Sequence, residues 1–144
     1  YLTLYNETGL EVFEKIAQSE QRHMNAVLGL IEKYNLTDPA EDKGIGEFTN
    51  PEIQALYDQL VSRDETSDIE ALKVGALIEE VDIKDLEEWL SRTDNEDIKL
   101  VFESLIAGSK NHLKAFTRVL ANSYGVEYSP RVLSEEEYRS IVGS

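Results

Sequence analysis

The chain has 144 residues, no Cys, 3 Pro and 8 Gly, with 41% hydrophobic and 30% charged residues. That length suits one domain with a real core, and the apolar share excludes a disordered chain. Without Cys there is no disulfide framework, thiolate metal site or cysteine nucleophile; the net charge of -15 repels phosphate backbones and anionic lipid and attracts cations instead.

Helix signals dominate from end to end, and no alternating runs or hairpin turns suggest strands. Residues 1–8 read as the end of a helix, broken by Gly9. Thr8 with Glu11 forms a capping box that starts a second helix running to about Tyr34, with Asn35 as a left-handed terminator. Residues 36–50, with Pro39, Gly44 and Gly46, form a long loop. Asn50-Pro51-Glu52 starts a short helix to about Arg63. Ser67–Glu70 is a second box, opening a helix to about Arg92. Thr93–Glu96 is a third, opening a helix to Ser123 that Gly125 ends. Ser134–Glu137 caps a short peripheral helix. The expected fold is all-α: a four-helix bundle over residues 1–128 with one long crossover and a truncated first helix. Residues 129–144 are a peripheral tail. No apolar run approaches 18 residues, so no span is expected.

Core-facing residues of a bundle recur at alternating steps of three and four. On the second helix these are Phe13, Ile16, Glu20, His23, Val27, Leu30 and Tyr34. On the helix from Asp68 they are Ile69, Leu72, Ala76, Glu79, Ile83, Leu86 and Leu90. On the helix from Asp94 they are Ile98, Phe102, Leu105, Ser109, His112, Phe116 and Val119. Each stripe is interrupted near its middle, by Glu20 and His23, by Glu79, and by Ser109 and His112. His23 and His112 are the only histidines in the chain. Burying a carboxylate without compensation costs several kcal/mol, on the order of the whole stability of a small domain. A divalent cation supplies compensation, and carboxylate oxygen with imidazole nitrogen suits Fe, Mn or Zn. The candidate ligands are Glu20, His23, Glu79 and His112. Glu80 takes the role of Glu79 if the register is shifted by one, and Asp82 is a further acid one turn on. Tyr1, Tyr5, Trp89 and Phe116 are read as core aromatics.

Glu20-x-x-His23, a lone Glu79, His112 and the loop at 36–50 resemble the ferritin-like diiron-carboxylate superfamily. More narrowly, Tyr1-Leu-Thr-Leu-Tyr5, Ser19-Glu-Gln-Arg-His23-Met24 and Gly108-Ser-Lys-Asn-His-Leu113 are similar to the ferritin-like family called domain of unknown function 2202. The resemblance implies a bridging Glu20, a terminal His23, a terminal Glu79 and a second imidazole, His112, with iron the first metal to expect and an oxidoreductase ancestry. Ser109 departs from the pattern, standing where a second bridging Glu belongs. The Glu expected about two turns before Tyr1 is also absent from the sequence. Two carboxylates and two imidazoles suit one divalent ion better than two. A non-enzymatic helical interaction module with a vestigial site is the alternative. The short first helix leaves a groove for a symmetry mate or an upstream segment, so a homodimer is expected, in a cytoplasmic setting, without nucleic acid or membrane as partner.

Overall fold

The computed structural model describes residues 1–35, 51, 54, 55, 58 and 68–143. Among them the chain is helical and contains no strand: α1 is Leu2–Thr8, α2 Glu11–Lys33, α3 Asp68–Arg92, α4 Glu96–Tyr124 and α5 Glu135–Val142. Pro51, Gln54, Ala55 and Asp58 also take helical backbone. The remainder of the helix expected there, the loop at 36–50 and the cap at Ser67 lie outside the described residues.

Glycine and asparagine end the helices as expected. Gly9 and Gly125 adopt left-handed conformations with φ of 70° and 63°, and Asn35 follows α2 with φ 52°. At Gly125 the reversal lets Val126 N–H reach the carbonyl of Leu120 at 2.9 Å, which satisfies a terminal helix acceptor. Two of the helix starts differ from expectation. Thr8 does not cap α2. Its hydroxyl donates back to Leu4 O at 2.7 Å and accepts from Leu10 N at 3.2 Å, so it closes α1, and α2 starts from Leu10 with no side-chain cap. Thr93 does not cap α4 either. Asn95 does, accepting from the N–H groups of Asp97 and Ile98 at 3.0 and 3.2 Å, so α4 begins two residues later than predicted. Asn outranks Thr as a cap, and here it stood two residues downstream. Ser134 caps α5 as expected, accepting from Glu137 N at 3.1 Å.

Pairings along the helices give their directions. Tyr124 OH at the end of α4 donates to Asp68 Oδ2 at the start of α3 (2.7 Å), and mid-helix Glu79 meets His112. These helices are therefore antiparallel, as their short connection requires. Lys33 at the end of α2 pairs with Asp97 at the start of α4, while Ser19 meets His112. So α2 is antiparallel to α4 and parallel to α3. With α2 about 35 Å long at 1.5 Å per residue, the end of α2 and the start of α3 therefore lie at opposite ends of these helices.

The core gathers Leu4, Phe13, Ile16, Leu72, Ala76, Ile83, Leu113, Phe116 and Leu120. The rings of Tyr1, Phe13 and Phe116 pack with centroids 5.4 to 6.2 Å apart. Gly75 makes room for Phe116: a Cβ there would lie 2.7 Å from the ring. Leu133, Tyr138 and Ile141 extend this cluster from the C-terminal segment. Two expected core aromatics are not core. Trp89 is 58% exposed, with the Arg92 guanidinium 5.8 Å above its ring. Tyr34 is at the end of α2, exposed, and donates to Asp97 at 2.7 Å. Its three–four register holds, but α2 ends there, and its hydroxyl meets the first turn of α4 at the surface rather than the core.

Candidate metal centre

Three of the four predicted ligands converge at one level of the core. Glu20 comes from α2, Glu79 from α3 and His112 from α4, and each offers a ligand atom within 4.8 Å of the others. The Nδ1 of His112 lies 3.0 Å from Glu20 Oε1 and 3.2 Å from Glu79 Oε1. The ring N–H can point at only one oxygen. When Nδ1 is protonated the Glu79 contact has hydrogen-bond alignment, while Glu20 Oε1, 3.0 Å away, and Glu79 Oε2 are buried with no hydrogen-bond partner. The opposite ring nitrogen, Nε2, faces Ser19 Oγ at 2.9 Å. Tyr1 OH donates to Glu79 Oε1 at 2.7 Å, which anchors that carboxylate from α1.

His23, the fourth predicted ligand, stands beside this cluster rather than inside it. Its Nδ1 is 3.6 Å from Glu20 Oε2, and its ring centroid is 5.8 Å from that of His112. The ring lies against the backbone of Gly108, where a Cβ would come within 2.4 Å of it. The small residue on α4 is what admits the imidazole.

Glu79 and Glu80 are both fully buried but serve opposite sides of α3. Glu80 turns away from the cluster and receives the backbone N–H groups of Arg131, Val132 and Leu133 at 3.0 to 3.2 Å, together with the hydroxyl of Tyr128. The carboxylate ties the C-terminal segment to α3, and the register that places Glu79 toward the histidines holds. Burial raises the pKa of the Tyr128 hydroxyl, and Glu80 raises it further.

The electrostatics follow from this packing. Burial alone would lower the pKa of His112, but the two carboxylates outweigh it and push it up to about 9. Burial pushes Glu79 up, only partly offset by His112. For Glu20 burial acts upward too, yet His112 and His23 prevail and its pKa falls. Asp82, one turn beyond Glu79, rises well above the usual carboxylate range through burial and the charges of Glu79 and Glu20. Asp82 and the buried Ser109 also line a cavity of about 560 Å³ that Glu20 and His23 share, walled by Val27, Leu28, Ile31, Leu86 and Leu105.

Tyr1, Ser19 and Gly108 were missed as contributors. Tyr1 reads as one more core aromatic. Ser19 precedes a stripe residue and so falls off the apolar face. Gly108 carries no side chain to place on a stripe. The signals for Ser19 are its place beside a candidate ligand and at the start of the motif Ser19–Met24 that carries the family resemblance.

Residues 1–144 match the model of the family described as an uncharacterized protein domain, domain of unknown function 2202. The chain belongs to this family. An uncharacterized protein of Methanocaldococcus jannaschii, MJ0754, is 54% identical over all 144 residues, which span 77% of the relative's length. The crystal structure of hypothetical protein MJ0754 superposes with a TM-score of 0.92 at 53% identity, covering the whole of this chain and 82% of that one. The family match spans α1 to α5, so the site and the Glu80 anchor both fall inside the domain.

Proposed function

We propose that this protein is a ferritin-like metal-binding protein, a four-helix bundle with one long crossover whose core holds one divalent ion. Glu20, Glu79 and His112 supply three ligands, and His23 the fourth by a small swing of its ring. The observation that carries this reading is the convergence of Glu20, Glu79 and His112 ligand atoms within 4.8 Å, a donor set that suits Fe, Mn or Zn. Glu79 Oε2 is buried without a hydrogen bond, and Glu20 Oε1 has only the charge of His112 beside it. Iron is the first candidate, with a redox or iron-handling role. The bound ion would supply a Lewis-acidic or redox-active centre. Glu20 and Glu79 neutralise its charge, and Tyr1 and Ser19 hold the ligands in place. Ser109 stands where another carboxylate would bind a second ion, which favours a count of one.

The test is metal analysis of the native protein and titration with Fe²⁺, Mn²⁺ and Zn²⁺. About one ion per chain is expected, with loss of binding in the Glu20→Ala/His23→Ala double variant. Less than about 0.2 ion per chain with all three metals on offer rejects the reading, as a ligand that binds only the folded state must also stabilise it. The expected homodimer belongs to the same reading and is checked by light scattering.

One observation favours a second reading. Protonated His112 between Glu20 and Glu79 forms an ion pair that compensates much of the buried charge with no metal present. A helical interaction module with a vestigial site would keep this arrangement. It predicts that a chelator leaves thermal stability unchanged, whereas loss of a bound ion lowers it.

A further inference from the structure

We propose that Ser19 is a positioning residue for the metal centre, holding the ring proton of His112 on Nε2 so that Nδ1 is presented to the ion. This rests on the metal-binding reading above and adds which nitrogen binds and what keeps it there.

A neutral imidazole carries one N–H, and the hydrogen bond made by one nitrogen decides what the other can do. In His112 the two nitrogens face different chemistry. Nδ1 points at Glu20 and Glu79, at 3.0 and 3.2 Å, while Nε2 is 2.9 Å from Ser19 Oγ. A cation shared with the two carboxylates must use the nitrogen on their side, which is Nδ1. The proton then resides on Nε2, where the serine hydroxyl has a lone pair to accept it. Ser19 and Glu20 are consecutive on α2, so one rigid helical turn grips both edges of the ring. A shift of α2 that moves the ligand also moves the group that orients its neighbour. A hydroxyl partner also has a consequence for charge. A carboxylate in this place would make the imidazole more basic. With Ser19 the set Glu20, Glu79 and neutral His112 carries a charge of -2, which one divalent ion balances.

The probe is Zn²⁺, competed against a chromophoric chelator, with the wild type, Ser19→Ala and Ser19→Thr. Ser19→Ala is expected to weaken Zn²⁺ binding by roughly ten- to a hundredfold, and Ser19→Thr, which keeps the hydroxyl, to stay within about threefold. A purely structural role would not move the second readout, long-range ¹⁵N–¹H correlation of the His112 ring in the Zn²⁺-loaded wild type. There Nδ1 is expected as the metallated nitrogen and Nε2 as the protonated one. Binding by Ser19→Ala within about threefold of wild type, or a metallated Nε2, overturns the role of Ser19 while leaving the metal site standing. Failure of the wild type to bind Zn²⁺, Fe²⁺ or Mn²⁺ overturns both together. The ring spectrum needs no substitution, so the assignment can be refuted even if a Ser19 variant folds poorly.

Discussion

Glu79 and Glu80 offer the sharpest contrast in the molecule, because both carboxylates are fully buried and adjacent, yet only one belongs to the site. Glu80→Ala removes the acceptor of three backbone N–H groups and of the Tyr128 hydroxyl. An unsatisfied buried donor costs about 1–3 kcal/mol. Leu133 N–H and the Tyr128 hydroxyl are buried and bear the full cost. Those of Arg131 and Val132 are partly accessible to water and bear less. The two fully buried donors alone set an expected loss of about 2–6 kcal/mol, a large part of the roughly 5–15 kcal/mol that holds a typical domain. Urea unfolding followed by circular dichroism, in chelator, measures it. Limited proteolysis should cut first near 128–133, where the segment comes free of α3. Glu79→Ala is expected to do the reverse. It removes the partner of Tyr1 OH and of His112, but also a carboxylate whose own burial is unfavourable, so it costs less stability and abolishes metal binding. A Glu80→Ala loss below about 1 kcal/mol, well under the sum for two orphaned donors, would refute the anchoring role. Metal binding lost in Glu80→Ala but kept in Glu79→Ala would refute the register.

Three further outcomes follow from the packing. Gly108→Ala places a methyl 2.4 Å from the His23 ring, the mobile end of a side chain, so His23 should swing away; calorimetric titration is expected to show weaker metal binding with little change in unfolding midpoint. Gly75→Ala places its methyl 2.7–2.9 Å from the Phe116 ring in the close-packed core, so thermal unfolding should reveal a loss of about 1–3 kcal/mol with metal binding nearly intact. In chelator-treated protein, His112 binds its proton more tightly folded than unfolded; its stabilising contribution is complete below pH 6.5 and lost as pH rises through about 9. Glu79, also raised, acts in the same direction at lower pH. Unfolding midpoints from pH 6 to 9.5 should therefore fall, and His112→Gln should flatten the slope.

Much of this molecule was legible in its residues because the signals were local. Gly9, Asn35 and Gly125 stop helices by left-handed geometry that few other residues adopt, and the three–four stripes of α2, α3 and α4 come from the 3.6-residue turn alone. Polar residues that interrupt such stripes must meet inside, and Glu20, Glu79 and His112 do. Caps were less legible, since Thr8, Thr93 and Asn95 are all plausible from composition. Which one accepts the free N–H groups depends on where the neighbouring chain turns.

Periodicity assigns a face to a residue but not the atom opposite. It put Glu79 on the inner face and kept Glu80 as the alternative for a register shifted by one, and the contacts of Glu79 with His112 and of Glu80 with the 131–133 segment separate them. It put Tyr34 in the core, as residue type did Trp89, although both are exposed among the described residues, and it passed over Ser19, whose value lies in one ring nitrogen 93 residues away in sequence. The residues themselves determined the helices and the polar level of their inner faces. The tertiary packing of α2 and α3 against α4, with α1 lying beside α2 and α3, decided which groups touch, because a contact between distant segments depends on helix direction and offset, and neither is encoded in any single turn.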